Sequence, residues 1–361
     1  MKKQYDNAEQ KEKAIIVGVA INSQKVDFDR QLEELSSLCY TAHLEVVGST
    51  SQNIKEVNSS TLLGSGKVEE IANMVKELDA DVVVVDCELT GSQLINISNV
   101  VKAKVIDRSM LILDIFAGRA STNEGRLQVK LAQLKYSLPR VGSLSNSSGR
   151  YGGGVGMRGP GETKLEMDKR VIKENISKLE KEIARIKNYR QIQKSERKKN
   201  RLKQVAIVGY TNAGKSTLMN TITKANIYAD DLLFATLDTT SRVLFLDVNK
   251  KVVLVDTVGF IDKLPHAFVQ AFNATLEETA DADLLIHVVD ISDKDYMVKM
   301  DIVNSVLKEI KADTIPQIVV YNKIDKLSKP FEIPAGVIPI SAKNNKGIEL
   351  LKREIEKRLF E

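Results

Sequence analysis

Apolar runs alternate with helically spaced segments over the first third of the chain. The runs predict four strands, Ala14–Ile21, His43–Gly48, Asp81–Asp86 and Val105–Ile106, and the spacing between them predicts helices over Phe28–Leu38 and Lys67–Leu78. Continuous runs of β-branched residues separated by helices are typical of a parallel sheet covered on both faces. We therefore predict an N-terminal parallel α/β domain over residues 1–113.

Polar residues follow the predicted strands of this domain, and Gly64-Ser-Gly66-Lys67 opens its second helix. The strand-end residues are Asp86, Glu88, Asp107 and Arg108. Ligands of open α/β sheets bind at such strand ends. A Gly-x-Gly-Lys sequence is too short to identify a nucleotide site, so an ordinary helix N-terminus is the favoured interpretation.

Helical spacing dominates residues 114–203, which we interpret as a coiled-coil-like connector. One helix is predicted over Asp114–Leu138, and a second carries a seam of apolar residues, Ile172, Ile176, Leu179, Ile183 and Ile186. About two heptads are too few for an independent dimer, so we expect the two segments to form an intramolecular hairpin and the protein to be a monomer.

A glycine-rich loop and a basic run interrupt this connector. The loop, residues 142–161, contains Tyr151 and Arg158, side chains that suit stacking on nucleobases. The run from Arg185 to Lys203 has nine basic residues and one acid, and includes Arg190 and Arg197. A flexible linker and a solvated helix are the alternatives to an RNA-binding surface formed by these four residues.

A phosphate-binding loop follows a buried strand, Val205–Val208, and precedes a helical pattern from Leu218. Its sequence is Gly209-Tyr-Thr-Asn212-Ala213-Gly214-Lys215-Ser216-Thr217. In such loops backbone N–H groups surround phosphate oxygens, the lysine reaches the β and γ phosphates, and the serine hydroxyl ligates Mg²⁺. The strand, loop and helix together favour a nucleotide site over a chance match.

Two further motifs belong to the same site. Thr236 lies in a Thr-rich segment, and Asp256-Thr-Val-Gly259 ends the second strand of a predicted hairpin, Val243–Val248 and Val252–Val255. Asp256 is placed to bind the metal through water, and the Gly259 amide to reach a γ-phosphate. We predict Lys215, Thr236 and Gly259 as the catalytic groups, with Ser216 and Thr236 as metal ligands.

A further motif, Asn322-Lys323-x-Asp325 at the end of a strand, is predicted to select the base of the nucleotide. A carboxylate such as Asp325 accepts two N–H groups, which guanine offers and adenine does not. Ser341-Ala342-Lys343 follows another strand, and its backbone N–H groups suit the guanine O6. These motifs in order predict a G domain over residues 204–361, with a mostly parallel, doubly wound sheet that binds GTP or GDP with Mg²⁺.

The composition is that of a globular protein that can form its core without disulfide or metal cross-links. Hydrophobic residues make up 43% of the chain and charged residues 28%, and the net charge of +5 says little about partners. The two cysteines, Cys39 and Cys87, have apolar surroundings and predict buried free thiols. The sequence shows neither a membrane span nor a signal peptide, so we expect a cytoplasmic protein.

The order of the nucleotide motifs resembles that of translation-factor-class GTPases, and other stretches resemble the HflX family of the Obg–HflX group. These stretches are Arg158-Gly-Pro-Gly-Glu-Thr163, Asp107-Arg108 with Leu111–Phe116, Gln128–Gln133, and Asp256–Ile261 with Leu264-Pro-His266. The resemblance implies binding to the 50S ribosomal subunit, with its 23S rRNA, and GTP-dependent splitting of stalled or idle 70S ribosomes under stress. A ribosome-assembly GTPase and an RNA-binding module that senses nucleotide with little turnover are the alternatives.

The sequence departs at two places from the pattern of the family that it resembles. Thr239 stands where many relatives have proline after Thr236-Leu-Asp238, and some relatives continue with a further C-terminal domain. ATP use has been linked to the N-terminal domain of relatives, but no phosphate-binding loop is present there. Binding of ATP to that domain is therefore not predicted.

Hydrolysis is expected to be slow without a partner. The residue after the Asp-x-x-Gly motif is Phe260, whose ring cannot hold the attacking water in line. His266 is an alternative water-positioning group, although a structural role is favoured for it. His43 and His287 fall in strand patterns and are expected to be packed.

Overall fold

The computed structural model describes residues 11–22, 27–141, 164–199, 202–223, 233–234, 240–247, 250–262, 278–328 and 331–361, with the side chains of residue 164 and of residues 190–199 left out. Within these ranges the chain divides into two compact units. The first contains residues 1–115 and 133–176, and the second contains residues 116–132 and 177–361. The three-domain division predicted from the sequence stays a prediction.

The first unit is built on a four-stranded, fully parallel sheet with the order β2-β1-β3-β4. Its elements are β1 (Lys13–Ile21), α1 (Phe28–Thr41), β2 (Glu45–Ile54), α2 (Ser65–Leu78), β3 (Val82–Val85), α3 (Gly91–Val101) and β4 (Lys104–Asp107). All four residues of β3 are buried, as expected for a central strand between two helical layers. The predicted parallel α/β architecture is confirmed.

Helix α3 is absent from the sequence interpretation. Its segment, Gly-Ser-Gln-Leu-Ile-Asn-Ile-Ser-Asn-Val-Val, is rich in residues with low helix propensity. Its N-terminus is nevertheless well defined, because Thr90 accepts a hydrogen bond from the Gln93 amide at 3.2 Å and the Gln93 side chain accepts one from the Thr90 amide at 2.9 Å. This reciprocal capping and the burial of Ile97 and Val101 stabilise the helix.

The single helix predicted over Asp114–Leu138 is wrong, because the segment forms two helices. They are α4 (Arg108–Arg119) and α5 (Asn123–Ser137). The Thr122 hydroxyl accepts a hydrogen bond from the Gly125 amide at 2.9 Å, which caps the start of α5. A capping side chain offers the backbone an alternative to continuing the preceding helix, which explains the break.

Helix α6 (Lys164–Lys199) carries the predicted apolar seam. Leu179 is buried at 8% exposure and the other four seam residues are half-buried, whereas the neighbouring Val171 is 46% exposed. The seam therefore faces protein, as its spacing predicts. Pairing of this helix with residues 114–138 in a hairpin stays a prediction.

The second unit contains a six-stranded sheet with the order β10-β9-β8-β5-β7-β6. Its strands are β5 (Lys203–Gly209), β6 (Thr240–Asp247), β7 (Lys250–Asp256), β8 (Leu284–Asp290), β9 (Gln317–Asn322) and β10 (Ile338–Pro339). Only the β6–β7 pair is antiparallel among the described strands. This arrangement confirms the predicted hairpin and the mostly parallel G-domain sheet.

Besides its parts of α4, α5 and α6, this unit contains the helices α7 (Lys215–Thr223), α8 (Tyr296–Glu309) and α9 (Ile348–Phe360). One core cluster joins the central strands to buried residues of α7 and α9, among them Leu218, Met219 and Leu351. Because β5 lies between β7 and β8, its carboxyl end is brought beside the ends of both neighbours. The phosphate loop is thereby placed at the centre of the sheet edge.

The predictions for the cysteines and histidines are confirmed only in part. Cys39 is buried, and burial raises the pKa of its thiol to about 12, whereas Cys87 is only half-buried. His287 is buried in β8, but the prediction for His43 is wrong, because this residue is exposed in the turn after α1 with φ 62°. Among the described residues, no helix combines the length and the apolarity that a bilayer crossing requires.

We expect Leu179→Ala to lower the free energy of unfolding by about 2–4 kcal/mol, because it removes buried methyl groups and leaves a cavity. The matched control is Val171→Ala on the exposed side of α6, which should change stability by less than about 0.5 kcal/mol. Urea unfolding followed by circular dichroism measures both. Equal effects of the two variants would contradict the proposed inward-facing seam.

Candidate nucleotide-binding site

The phosphate loop connects β5 to α7, and its backbone conformation requires glycine at two positions. Gly209 has φ +155° and a Cβ there would lie 2.3 Å from the Val288 carbonyl oxygen. Gly214 has φ +94° and a Cβ there would lie 2.3 Å from Asn322 Nδ2. Asn212 adopts a left-handed φ of 59°, which asparagine tolerates. The predicted strand-loop-helix context is confirmed, and both glycines are required by close backbone approach.

Lys215 begins α7 and its ammonium group is buried inside the loop. Nζ donates hydrogen bonds to the carbonyl oxygens of Gly209 at 3.1 Å and Tyr210 at 2.8 Å. Burial lowers the pKa of Lys215 to about 8, Asp256 opposes this change, and Lys323 adds to it. A buried cation held by two neutral carbonyls is a site that an anion would stabilise.

Ser216 and Asp256 bring a hydroxyl and a carboxylate together beside Lys215. Ser216 Oγ donates to Asp256 Oδ2 at 2.7 Å, and Asp256 is fully buried at the end of β7. Oxygen ligands of this kind are those that Mg²⁺ prefers, and the metal usually retains several waters. The two residues therefore fit the predicted magnesium site.

Gly259 lies close to the phosphate loop. A Cβ on Gly259 would lie 2.8 Å from Thr211 Cγ2 and 3.0 Å from Lys215 Nζ. The position tolerates no side chain without displacing these groups. The structure thus brings Gly259 to Lys215, as the motif order predicts, although its role toward a γ-phosphate stays a prediction.

Asn322 connects the phosphate loop to the loop that follows β10. Its Nδ2 donates to the Ala213 carbonyl oxygen at 2.9 Å, and its Oδ1 accepts from the Ala342 amide at 3.0 Å. The side chain is 2% exposed, so both bonds are shielded from water. Asn322 therefore positions the loops around the base site.

Lys323 and Asp325 flank the same site. Lys323 Nζ donates to the Asn212 carbonyl oxygen at 2.8 Å and pairs with Asp290 at 2.7 Å. Asp325 is exposed, and a hydrogen bond from the Ser341 side chain is the main cause that lowers the pKa of its carboxyl group. The carboxylate is thus ionised and accessible, as an acceptor for guanine N–H groups must be.

The other predicted contact residues are only partly covered by the described structure. Thr217 is half-buried in the first turn of α7, and Lys343 is exposed. One turn later on α7, Thr221 Oγ1 donates to the Ala342 carbonyl oxygen at 2.8 Å, which joins the helix to the Ser341–Lys343 loop. Thr236, Tyr151, Arg158 and His266 lie outside the described residues, as do the side chains of Arg190 and Arg197.

Phe234 is the described residue nearest in sequence to Thr236. It has φ 53°, is 2% exposed, and packs edge-to-face against Phe116 with ring centroids 4.7 Å apart. A left-handed φ is uncommon for an aromatic residue and is maintained here by burial. This contact is not deducible from the sequence, because neither phenylalanine belongs to a nucleotide motif.

Polar strand-end residues of the first unit bind one another. Arg108 pairs with Asp86 at 2.7 Å and also with Glu34. Asp107 accepts from the Leu89 amide at 3.0 Å, the Met110 amide at 2.9 Å and the Tyr136 hydroxyl. Burial is the largest cause that raises the pKa of Tyr136, and Asp107 adds to it. Among the described residues these groups therefore form a buried structural network, in which the strand-end side chains bind one another.

The start of α2 is likewise structural. The Gly64 amide donates to Gln52 Oε1 at 3.2 Å, and Lys67 pairs with Glu70 at 2.7 Å and donates to Thr50 Oγ1 at 3.1 Å. The Gly-x-Gly-Lys sequence therefore contributes a helix N-terminus tied to β2, as favoured from the sequence.

The strand-loop-helix geometry around Lys215 and Ser216, joined to Asn322, defines a P-loop nucleotide-binding protein. The chain matches three families in succession, described as GTP-binding GTPase N-terminal over residues 29–117, GTP-binding GTPase Middle Region over residues 119–197, and 50S ribosome-binding GTPase over residues 204–323. Together the three matches include residues of both compact units.

Curated relatives identify the family. The chain is 49% identical to GTPase HflX of Caldanaerobacter subterraneus subsp. tengcongensis, over 98% of this chain and 82% of the relative, and 40% identical to GTPase HflX of Escherichia coli, over 98% and 84%. A solved GTP-binding protein from Sulfolobus solfataricus, in complex with GDP, aligns at 26% identity with a TM-score of 0.50, over 97% of this chain and 99% of that one. This chain belongs to the HflX family of GTPases, and the recognised resemblance is confirmed.

We expect Asp325→Asn to weaken GTP binding by about a hundredfold or more, because it removes the charged acceptor of two guanine N–H groups. The asparagine amide should instead favour xanthine nucleotides, whose 2-oxo group accepts a hydrogen bond. Titration with GTP and with XTP measures the affinity of the variant for each nucleotide. The control is Asp313→Asn, an exposed residue ahead of β9, which should change neither affinity. Unchanged GTP affinity in Asp325→Asn would exclude Asp325 as the base-selecting residue.

Nucleotide binding should be coupled to proton uptake by Lys215. Its pKa is lowered to about 8 in the free protein, and phosphate oxygens would raise it, so the bound state holds more protons. About half a proton should be taken up per GDP at pH 8, and the affinity should fall as pH rises further. Calorimetry at pH 8 in buffers of different ionisation enthalpy measures the uptake, and buffer-independent heats would contradict it.

Proposed function

We propose that this protein is a GTP-hydrolysing switch that binds the 50S ribosomal subunit and 23S rRNA and splits stalled or idle 70S ribosomes under stress. The observation that carries the proposal is the convergence of Lys215, Ser216, Asp256 and Asn322 at one sheet edge in a chain of the HflX family. The match to the family described as 50S ribosome-binding GTPase supports the ribosome as partner. The protein acts as a monomer in the cytoplasm.

The nucleotide is held by two sets of residues. The loop from Gly209 to Thr217, with Asn212, Ala213 and Gly214 supplying backbone contacts, surrounds the phosphates. Asn322, Lys323 and Asp325, with Ser341, Ala342 and Lys343, surround the guanine. Support comes from the bonds that join the two sets, Asn322 to Ala213 at 2.9 Å and Lys323 to Asn212 at 2.8 Å.

Mg²⁺ would be held directly by Ser216 and Thr236 and through water by Asp256. When bound, it neutralises negative charge on the β and γ phosphates. The protein's own contribution is placement. Lys215 supplies a positive charge to the phosphates, and the amides of Thr236 and Gly259 respond to the γ-phosphate, ordering the segments around them in the GTP state.

Phe260 gives this switch a slow intrinsic rate. The side chain is 2% exposed and offers no polar group at the position after Gly259. Phosphoryl transfer depends on positioned charges and on an oriented water. A ribosomal partner that supplies these groups therefore accelerates hydrolysis by several powers of ten.

The connector and the glycine-rich loop supply the RNA contacts. Tyr151 and Arg158 in the loop and Arg190 and Arg197 in the basic run are the proposed residues. Residues 185–199 of the basic run lie in the C-terminal part of α6, where the described Tyr189 is 65% exposed. An exposed aromatic residue beside several cations is a composition that RNA-binding surfaces share.

Single-turnover GTP hydrolysis with and without 50S subunits tests the switch. We expect a slow basal rate that purified 50S subunits raise at least a hundredfold. A fast basal rate that ribosomes do not change would contradict the partner-activated mechanism. Sucrose-gradient sedimentation with GDP, GTP or a non-hydrolysable analogue then tests splitting, since 70S particles should separate only with the GTP forms. Binding only to precursor particles would favour a role in ribosome assembly.

A loop variant provides the control for the RNA contacts in these same assays. Changing Tyr151 and Arg158 to alanine should weaken co-sedimentation with 50S subunits while GTP affinity of the free protein stays intact. Equal ribosome occupancy of variant and wild type would exclude the loop as a ribosome contact.

A further inference from the structure

The side chain of Lys323 connects the base-selecting loop to the phosphate loop and to the end of β8. Its Nζ donates to the Asn212 carbonyl oxygen at 2.8 Å and pairs with Asp290 Oδ2 at 2.7 Å. The lysine side chain is 15% exposed and the aspartate side chain 20% exposed. Because most of this ion pair is shielded from water, the attraction between its charges is stronger than that of a surface pair. Lys323 is thus fixed between a carboxylate and a carbonyl of the phosphate loop.

Asp290 is itself fixed by the residues that follow it. Its Oδ1 accepts hydrogen bonds from the Ser292 amide at 3.0 Å and from the Ser292 hydroxyl at 2.5 Å. The backbone is joined to β9 here, because the Ile291 amide donates to the Asn322 carbonyl oxygen at 3.1 Å. One carboxylate oxygen therefore binds its own loop, and the other is directed to Lys323.

The backbone of Lys323 adopts a conformation that needs support from its surroundings. Its φ is 65°, in the left-handed region that is uncommon for lysine. Such conformations persist where the contacts around the residue determine them. The preceding Asn322 is fixed by two buried hydrogen bonds, and Asp290 fixes the end of the lysine side chain. The position of the ammonium group is therefore determined by the fold before any nucleotide binds.

The bond from Lys323 acts on the left-handed turn of the phosphate loop at Asn212, where φ is 59°. The peptide unit between Asn212 and Ala213 is held at both ends. Its carbonyl oxygen accepts from Lys323, and its N–H donates to the Tyr210 carbonyl oxygen at 3.2 Å. Turns of this kind direct successive backbone N–H groups toward an anion. The loop is thus stabilised in an anion-binding conformation in the absence of a ligand.

We propose that Asp290 is a positioning residue for nucleotide binding, which holds Lys323 on the Asn212 carbonyl and so keeps the phosphate loop in its binding conformation. The proposal rests on the proposed nucleotide site. Asp290 increases the affinity because the loop is ordered before the ligand arrives, and not through contact with the ligand. The gain is the same for GDP and GTP, since both require the phosphate loop.

Asp290→Asn tests the proposal, because it keeps the shape of the side chain and removes its charge. We expect the affinities for GDP and for a non-hydrolysable GTP analogue to fall together, each about tenfold, the effect of one hydrogen bond between charged groups. The matched control is Asp283→Asn just before the other end of β8, which removes an ion pair with Lys203 and should change neither affinity. Titration calorimetry measures these affinities. Values for Asp290→Asn that equal or exceed those of the wild type would overturn the proposal.

A double variant distinguishes positioning of Lys323 from a general effect on folding. With Lys323→Met in place, Asp290 has no cation to hold, so adding Asp290→Asn should cause less than about a twofold further loss of affinity. Two losses that multiply in the double variant would show that Asp290 acts independently of Lys323, which would also overturn the proposal.

Ser292→Ala provides a milder variant, which serves if Asp290→Asn does not fold. It keeps the carboxylate charge and removes one of the two donors that fix Asp290. Both nucleotide affinities should fall about two- to threefold, the effect of a weakened neutral hydrogen bond. Wild-type affinities in this variant would contradict the fixed position of Asp290 on which the proposal depends.

Proton uptake by Lys215 gives a readout that a purely structural role would not change. Burial lowers the pKa of Lys215 to about 8, Asp256 opposes this change and Lys323 adds to it. In Asp290→Asn the charge of Lys323 is no longer offset, so the pKa of Lys215 in the free protein should be lower still. More than about half a proton should then be taken up per GDP at pH 8. Uptake equal to that of the wild type would overturn the proposal, whereas failure of the wild type to bind GDP would instead refute the proposed nucleotide site.

Discussion

The buried amide of Asn322 is the constraint on which the nucleotide site depends. One side chain donates to the phosphate loop at Ala213 and accepts from the loop after β10 at Ala342, so two segments far apart in sequence keep a fixed separation. The backbone of Gly214 lies against the same amide, where a Cβ would be 2.3 Å from Nδ2. A side chain at residue 214 or a loss of the amide would therefore disturb phosphate and base contacts together, since both are built on one hydrogen-bonded junction.

The charged groups of the site are placed so that they stabilise a bound ligand and not the free protein. Lys215 is buried with a lowered pKa, and His287, behind it in β8, has its pKa lowered to about 4 by burial and by Lys215. His287 is consequently neutral and adds no positive charge at neutral pH. The lysine is the cation that the phosphates meet, with Ser216 and Asp256 beside it for a metal. Burial of the Lys215 ammonium group therefore lowers the stability of the free protein and favours the binding of a phosphate.

Local patterns in the sequence predicted the strands and the nucleotide motifs, because continuous β-branched runs and glycines at fixed spacing act within a few residues. Helix α3 was missed, because its low propensity is overcome by the Thr90–Gln93 capping pair and by burial of Ile97 and Val101. The break between α4 and α5 depends on a single cap at Thr122. The Tyr210–Phe260 bridge, the hydrogen bond from the Asp262 amide to the Tyr210 hydroxyl and the packing of Phe116 against Phe234 are non-local, so patterns that act within a few residues do not predict them.

The two sheets carry similar polar residues at their strand ends and use them differently. In the first unit, Asp107 has bonds from two backbone amides and a tyrosine hydroxyl, and Arg108 has two carboxylate partners, so a ligand would have to break charged or multiple contacts. In the second unit, the acceptors of Lys215 among the described residues are neutral carbonyls, and a phosphate is a stronger partner for it. A binding site is therefore recognised by polar groups whose hydrogen-bond partners in the free protein can be replaced by a ligand at little cost in free energy. This distinction separates the nucleotide site from the N-terminal network, although the sequence shows polar strand ends in both.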